Sequence, residues 1–232
     1  MNTGKKSISM SEQAAKQIIE FITSNQMLPG DRMPTETDLM ERLEVSRSTI
    51  REAIKILSAR NILEIRQGSG ASISPKRGIP DDPLGLTFIY DDDRLAIDLL
   101  DVRTMLEPRT AMLAAMNATA IQCENLKRQC KIVENLISQK QPYEEEDIQL
   151  HKLISEASGN KILINLSYIL HMSVKKTIIA TSDALRDSNT FIYHRKTIDA
   201  IINKDPVSAY NSMMVHVCGL REFIAGKISE KK

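Results

Sequence analysis

Tryptophan is absent from this chain, and aromatic residues make up only 4% of it. Sheets draw heavily on aromatic and β-branched side chains. So few aromatics beside abundant Ile, Leu, Ala and Met argue against a β-sandwich and for helices. Cysteine is scarce too: Cys123, Cys130 and Cys218 form an odd set with no CxxC pair. That excludes a disulfide scaffold and predicts reduced thiols in a cytoplasmic protein. No stretch approaches the roughly 18 uninterrupted apolar residues of a membrane span. Residues 1–9, despite Lys5 and Lys6, lead into no apolar run of signal-peptide length. A soluble protein with no membrane partner is therefore expected. An excess of one charge sign is also missing: the net charge is +1, so the whole-chain field is silent about partners. There is no HExxH, no GxSxG and no phosphate loop, so the commonest hydrolase and nucleotide signatures are excluded.

What is present is a packed-core composition, 42% hydrophobic over 232 residues, enough for two modest domains or one larger one. Residues 1–8 read as a loose tail. From Ser9 onward, Ala14, Ala15, Ile18, Ile19 and Ile22 recur at helical spacing. Leu28-Pro29-Gly30-Asp31 is a turn signal. Pro34-Thr35-Glu36 then opens a second helix, with Thr35 as its cap and Leu39, Met40 and Leu43 facing inward. A break at Val45-Ser46 leads to a third helix running to about Ala59, with Asn61 ending it in a left-handed conformation. Two short alternating segments, Ile62 to Arg66 and Gly70 to Ser74, flank a Gly-x-Gly tip and predict a β-hairpin. Three helices and a hairpin make a winged helix-turn-helix over residues 9–75.

Residues 76–92, with Gly78, Pro80, Pro83 and Gly85 and several aspartates, read as a linker crossed by a short helix from Pro83 to Tyr90. From 93 to 229 the pattern is helical almost throughout. Helices are expected near 93–117, 119–139, 143–157, 161–181, 189–203 and 206–228, forming an antiparallel all-α bundle.

The third helix carries Arg47 and Arg51 one turn apart, behind hydroxyls at its start. From Ser46 to Arg60, four basic residues face the single acidic Glu52, a local charge of +3. An isolated arginine pair would be only a solvated face. On the second helix of a helix–turn–helix, before a Gly-tipped hairpin, it suits base edges and phosphates in a DNA major groove. In the second half, Asp147 and His151 stand four apart and project from one helix face, while His194 and His216 lie on two later helices. Three facing helices would deliver Asp, His, His and His to one point, which suits a divalent ion. Taken singly, each histidine is as readily a satisfied core residue or an exposed one.

Residues 28–73 resemble the GntR family of bacterial transcription regulators. The likeness rests on Leu28-Pro29-Gly30-Asp31, Pro34-Thr35-Glu36, Leu39, Val45-Ser46-Arg47, Thr49-Ile50-Arg51-Glu52-Ala53, Leu57 and Gly68-Ser69-Gly70. It implies DNA contacts from Ser46, Arg47, Ser48, Thr49 and Arg51, with Gln67 and Gly68 on the wing. Thr37 stands on the second helix where a basic residue is common. Residues 93–228 resemble the FCD effector-binding domain of the FadR-like branch. Here the likeness rests on Leu99 to Arg103 with Leu106-Glu107-Pro108, Asp147 to His151 with Ala157-Ser158-Gly159-Asn160, His194-Arg195 with Ile198, Ala200-Ile201 and Asp205, and Met214 with His216. It implies Asp147, His151, His194 and His216 as metal ligands, with zinc first and nickel or manganese as alternatives. Arg103 is implied as the cavity arginine, against a plain intrahelical pair with Glu107. Asn165 is a further pocket candidate, and His171 matches no ligand position.

The expectation is a homodimeric, metabolite-responsive regulator. It would repress a catabolic operon from a pseudo-palindromic operator, and a small organic carboxylate (a sugar acid or hydroxy acid) at a metal-containing pocket would release it. The rival is a metal-dependent enzyme acting on a small carboxylate, with Glu107 or Glu156 as base. A third class is a sensor of the metal itself.

Overall fold

The computed structural model describes residues 8–66, 70–90, 92–181 and 191–230. The chain divides into two compact units, one ending at Pro83 and the other beginning at Leu84.

In the first unit, α1 (Met10–Ser24) starts from a capping box in which the Ser9 hydroxyl accepts from the Glu12 amide and Glu12 reaches back. It buries Ala14, Ala15 and Ile18. The same device starts α2 (Glu36–Leu43), with Thr35 and Asp38 exchanging hydrogen bonds. Glu44, in a left-handed conformation with φ 52°, ends it. Ser46 then caps α3 (Arg47–Ala59), whose Ile50, Ala53, Ile54 and Leu57 face the core. Asn61 turns the chain at φ 53°, and its side-chain amide donates to the Ile79 carbonyl at 2.9 Å. Strands β1 (Leu63–Arg66) and β2 (Gly70–Ile73) pair antiparallel, with Leu63 opposite Ile73. The predicted turn at Leu28 to Asp31 is closed by Asp31, whose carboxylate accepts from the Leu28 amide at 2.7 Å. It is pinned to the wing: the Gly30 amide donates to the Ile73 carbonyl, and the Ile73 amide donates to that of Asp31. Gly30 sits at φ 93°, which only glycine adopts readily.

The second unit begins with a single 3-10 turn at Leu86–Phe88 rather than the expected short helix from Pro83 to Tyr90. Gly85 precedes it at φ 67° and no side chain caps it, so nothing propagates a longer helix. The helices are α4 (Asp92–Asn117), α5 (Ala120–Ser138), α6 (Glu144–Ala157), α7 (Lys161–Thr181), α8 (Ile192–Ile202) and α9 (Pro206–Glu230). The expected break at Ser182 to Ser188 lies outside the described residues. Helix α4 packs against α6, α7, α8 and α9, so it runs through the middle of the bundle. Leu126, Leu150, Ile154, Ile198, Ile201 and Met213 are buried at the centre. Gly159, at φ 69°, ends the α6 segment, and the Asn160 side chain accepts from the amides of Ile162 and Leu163 to start α7. The architecture is mainly α, a winged helix-turn-helix followed by a helical bundle. No described helix is long and apolar enough to cross a membrane.

Candidate nucleic-acid interface and metal centre

On the first unit, the exposed face of α3 begins with Ser46, Arg47 and Ser48, and Arg51 follows one turn on, also exposed. The Ser46 hydroxyl accepts from the Thr49 amide at 3.3 Å and lies 2.9 Å from both the Ser48 and the Thr49 hydroxyl. Thr49 is half-buried, and Thr37 on α2 is exposed. Glu36, the first residue of α2, brings the two arginines together. Its carboxylate accepts from Arg47 Nε at 3.1 Å and faces Arg51 Nε at 3.9 Å. Only Arg47 is hydrogen-bonded to Glu36, and the Arg47 and Arg51 side chains are 70% and 62% exposed. An exposed guanidinium is the kind of group that can pair with a guanine edge. Gln67 and Gly68 lie outside the described residues.

In the second unit, His151, His194 and His216 are buried and their ring nitrogens cluster. His194 Nε2 lies 3.1 Å from His216 Nε2 and 3.4 Å from Asp147 Oδ1, while His151 Nε2 lies 3.9 Å from Asp147 Oδ2. Asp147 Oδ1 and His151 Nε2 are buried without any hydrogen-bond partner. Unpaired buried acceptors are costly, and a cation held among the four donor atoms would satisfy both of these. Donors at ~2.0–2.1 Å from a tetrahedral ion stand about 3.3 Å apart, so the two shorter separations already match such edges. Burial, then the neighbouring His151 for His194 and the neighbouring His194 for His216, drives the pKa of both rings well below the usual histidine range. Both are therefore neutral at pH 7, as ligands must be.

Glu107 on α4 anchors the back of this cluster. Its Oε2 faces His151 Nδ1 at 3.0 Å, which places the ring proton on Nδ1 and leaves Nε2 for a metal. Arg103, one turn earlier, grips the same carboxylate with Nε at 2.6 Å and a terminal nitrogen at 3.3 Å. Both side chains are over nine-tenths buried. Burial raises the Glu107 pKa, but Arg103 and then His151 outweigh it and hold the group well below the carboxylate range. Burial likewise opposes protonation of His151, and Glu107 and Asp147 overcome it, so its pKa is raised. Arg103 thus lies at the site, but paired to a neighbour within its own helix. His171 on α7, which matched no ligand position, is also here: buried, with Nε2 3.7 Å from Glu107 Oε1. Burial pushes its pKa down to about 4. Asn165 on α7 is half-buried and does not line the small cavity beside Glu107. That cavity, walled by Leu106, Leu163, Leu170 and Met213, has room for about one water. Sequence spacing missed the sharing of Glu107 because its partners sit on α6 and α7, far along the chain. The only local signal was the four-residue step from Arg103.

The FCD domain family matches residues 98–218, and the family of bacterial regulatory proteins called gntR matches residues 10–73. The chain is 27% identical to the HTH-type transcriptional regulator YcbG of Bacillus subtilis, covering 96% of this chain and 93% of that protein. It is 26% identical to the Uxu operon transcriptional regulator of Escherichia coli, covering 91% and 85%. Against the HTH-type transcriptional repressor NanR of Cronobacter sakazakii it is 24% identical, covering 90% and 82%. Among solved structures, Streptococcus agalactiae GntR superposes with a TM-score of 0.82 at 37% identity, covering 91% of this chain and 99% of that one. These relatives are transcription regulators, not enzymes.

Proposed function

Since the chain belongs to the GntR family of bacterial transcription regulators and carries an FCD domain, we propose that it represses a catabolic operon and is released by a small organic carboxylate bound at a metal-containing pocket. The observation that carries the reading is the convergence of four donor atoms, on Asp147, His151, His194 and His216, with Asp147 Oδ1 and His151 Nε2 buried and unpaired. These four residues would hold a divalent ion, zinc first, with nickel or manganese as alternatives. Held by these four, the ion would take a carboxylate oxygen by expanding its coordination beyond four. Glu107 orients His151, and Arg103 adds positive charge behind it. In the first unit, Ser46, Ser48, Thr49 and Thr37 are assigned to the DNA backbone, and Arg47 and Arg51 to guanine edges. Gln67 and Gly68 are assigned to the wing contact. A homodimer would present two such heads to a pseudo-palindrome. The protein works as a switch only if the acid binds better in one arrangement of the heads than in the other.

Selection from random duplex DNA with the zinc-loaded protein, followed by gel shifts, tests this reading. An inverted-repeat operator is expected. Arg47→Ala should lose roughly 1–3 kcal/mol of discrimination per half-site with thermal stability unchanged. A carboxylate that raises the melting temperature should weaken operator binding. Unchanged sequence preference in Arg47→Ala, or no carboxylate with that paired effect, overturns the reading.

A further inference from the structure

Helix α5 carries none of the four residues assigned to the metal, yet it grips the residue beside two of them. Gln129 is buried on α5, and its side-chain amide donates to the Glu146 carbonyl at 2.9 Å and to the Glu146 carboxylate at 2.6 Å. Glu146 stands immediately before Asp147 on α6. Further along α5, the Glu134 carboxylate accepts from Arg195 Nε at 2.7 Å and from a terminal nitrogen of the same guanidinium. Arg195 stands immediately after His194 on α8. The Glu134 side chain is only 14% exposed, and both its oxygens are engaged. Two-pronged arginine–carboxylate pairs fix orientation as well as distance.

The gripped helices need such a guide. Asp147 Oδ1 and His194 Nε2 face each other at 3.4 Å across α6 and α8. Helix α6 packs on α4, α5 and α7, while α8 packs on α4, α5 and α9; among the described residues the two share no more than a marginal contact. The gap between that carboxylate and that ring is therefore set by the helices that touch both, α4 and α5. From α4, Glu107 reaches His151. From α5, Gln129 and Glu134 reach the neighbours of Asp147 and His194. Consecutive helical positions point about 100° apart. A residue held against α5 thus leaves the next one turned toward the bundle interior, and a grip on the first fixes the rotation of the second.

We infer that Gln129 and Glu134 are positioning residues for the metal centre: through Glu146 and Arg195 they hold Asp147 and His194 at the separation a small divalent ion needs. The inference rests on the four-ligand reading above and extends it to side chains that touch no ligand atom. The Arg195 side chain is 66% exposed, so its pair with Glu134 contributes little to stability, and its use is geometric.

Chelator competition for zinc, with the full chain, decides it. Gln129→Met and Glu134→Ala should each weaken zinc binding about tenfold, the lower end of what losing a ligand's outer support costs. Combined, they should weaken it about a hundredfold, because they steady different ligands. Glu134→Gln, which still accepts from the Arg195 fork, should recover most of the loss. The visible absorption of the cobalt-loaded protein gives a second readout: in Gln129→Met and Glu134→Ala the bands should shift as one side chain moves off the ion. A merely structural clasp would lower the melting temperature of the metal-free protein and leave zinc affinity and cobalt bands unchanged; that result overturns the inference alone. So does a Glu134→Gln variant as weak as Glu134→Ala. If Gln129→Met fails to fold, the two Glu134 variants still decide. No zinc bound by the unaltered chain at micromolar concentration overturns the metal centre and this inference together.

Discussion

Glu36 is an acidic residue placed where phosphates would come close, and its use is to hold two arginines. Removing its charge should relieve repulsion from DNA while freeing both guanidinium groups to wander. Glu36→Gln should therefore raise affinity for random duplex and lower the ratio of operator to random binding. Competition gel shifts measure both. A rise in both affinities by the same factor would reduce Glu36 to a bystander. Its pairs are exposed and contribute little stability, so the melting temperature should hold. The buried histidines make a second prediction at this scale, for the metal-stripped protein. His171, His194 and His216 have lowered pKa values, so the unfolded chain binds more protons below about pH 6.5 and stability climbs as pH rises to that point. His151 runs the other way: its raised pKa gives stability that is present below about 6.5 and lost as pH rises through the folded value. Urea midpoints measured from pH 5 to 8 should thus peak near the ordinary histidine pKa. A curve still rising steadily above it would deny the Glu107–His151 contact.

Helix starts are the elements most directly written in the chain. Thr35, Ser46 and Thr119 each accept from an amide three residues on, and two of these form reciprocal boxes with Asp38 and Gln122. Thr35→Ala should cost about 1 kcal/mol of first-unit stability, read by denaturant unfolding. It should also weaken operator selectivity, because Glu36 is the next residue and its position depends on that cap. An intact selectivity with lost stability would separate the two roles. Helix ends were legible as well. Asn61 was expected to adopt a left-handed conformation and does so. The element read less well was the turn after Pro83. Its local pattern allowed a helix from Pro83 to Tyr90, but Gly85 in a left-handed conformation leaves a single 3-10 turn.

Over the whole molecule, the chain divides into two compact units between Pro83 and Leu84, and all four residues assigned to the metal lie in the second. In scanning calorimetry, chelation should lower only the second unit's transition. With zinc supplied at about 100 times its dissociation constant, the shift should be roughly 5–10 °C. A shift shared equally by both transitions would mean that the units unfold as one.

Much of this protein was settled by residues within a turn or two of each other. Helical spacing of apolar residues, capping hydroxyls, the Arg47–Arg51 step and the Asp147–His151 step are local, and local geometry follows from the chain alone. The meeting of His194 and His216 with His151 was only an open alternative at that level. Of the sharing of Glu107 among Arg103, His151 and His171, only the four-residue step from Arg103 was visible. Those contacts join α4, α6, α7, α8 and α9, and only the packing of helices distant in sequence sets which side chains face one another across a core.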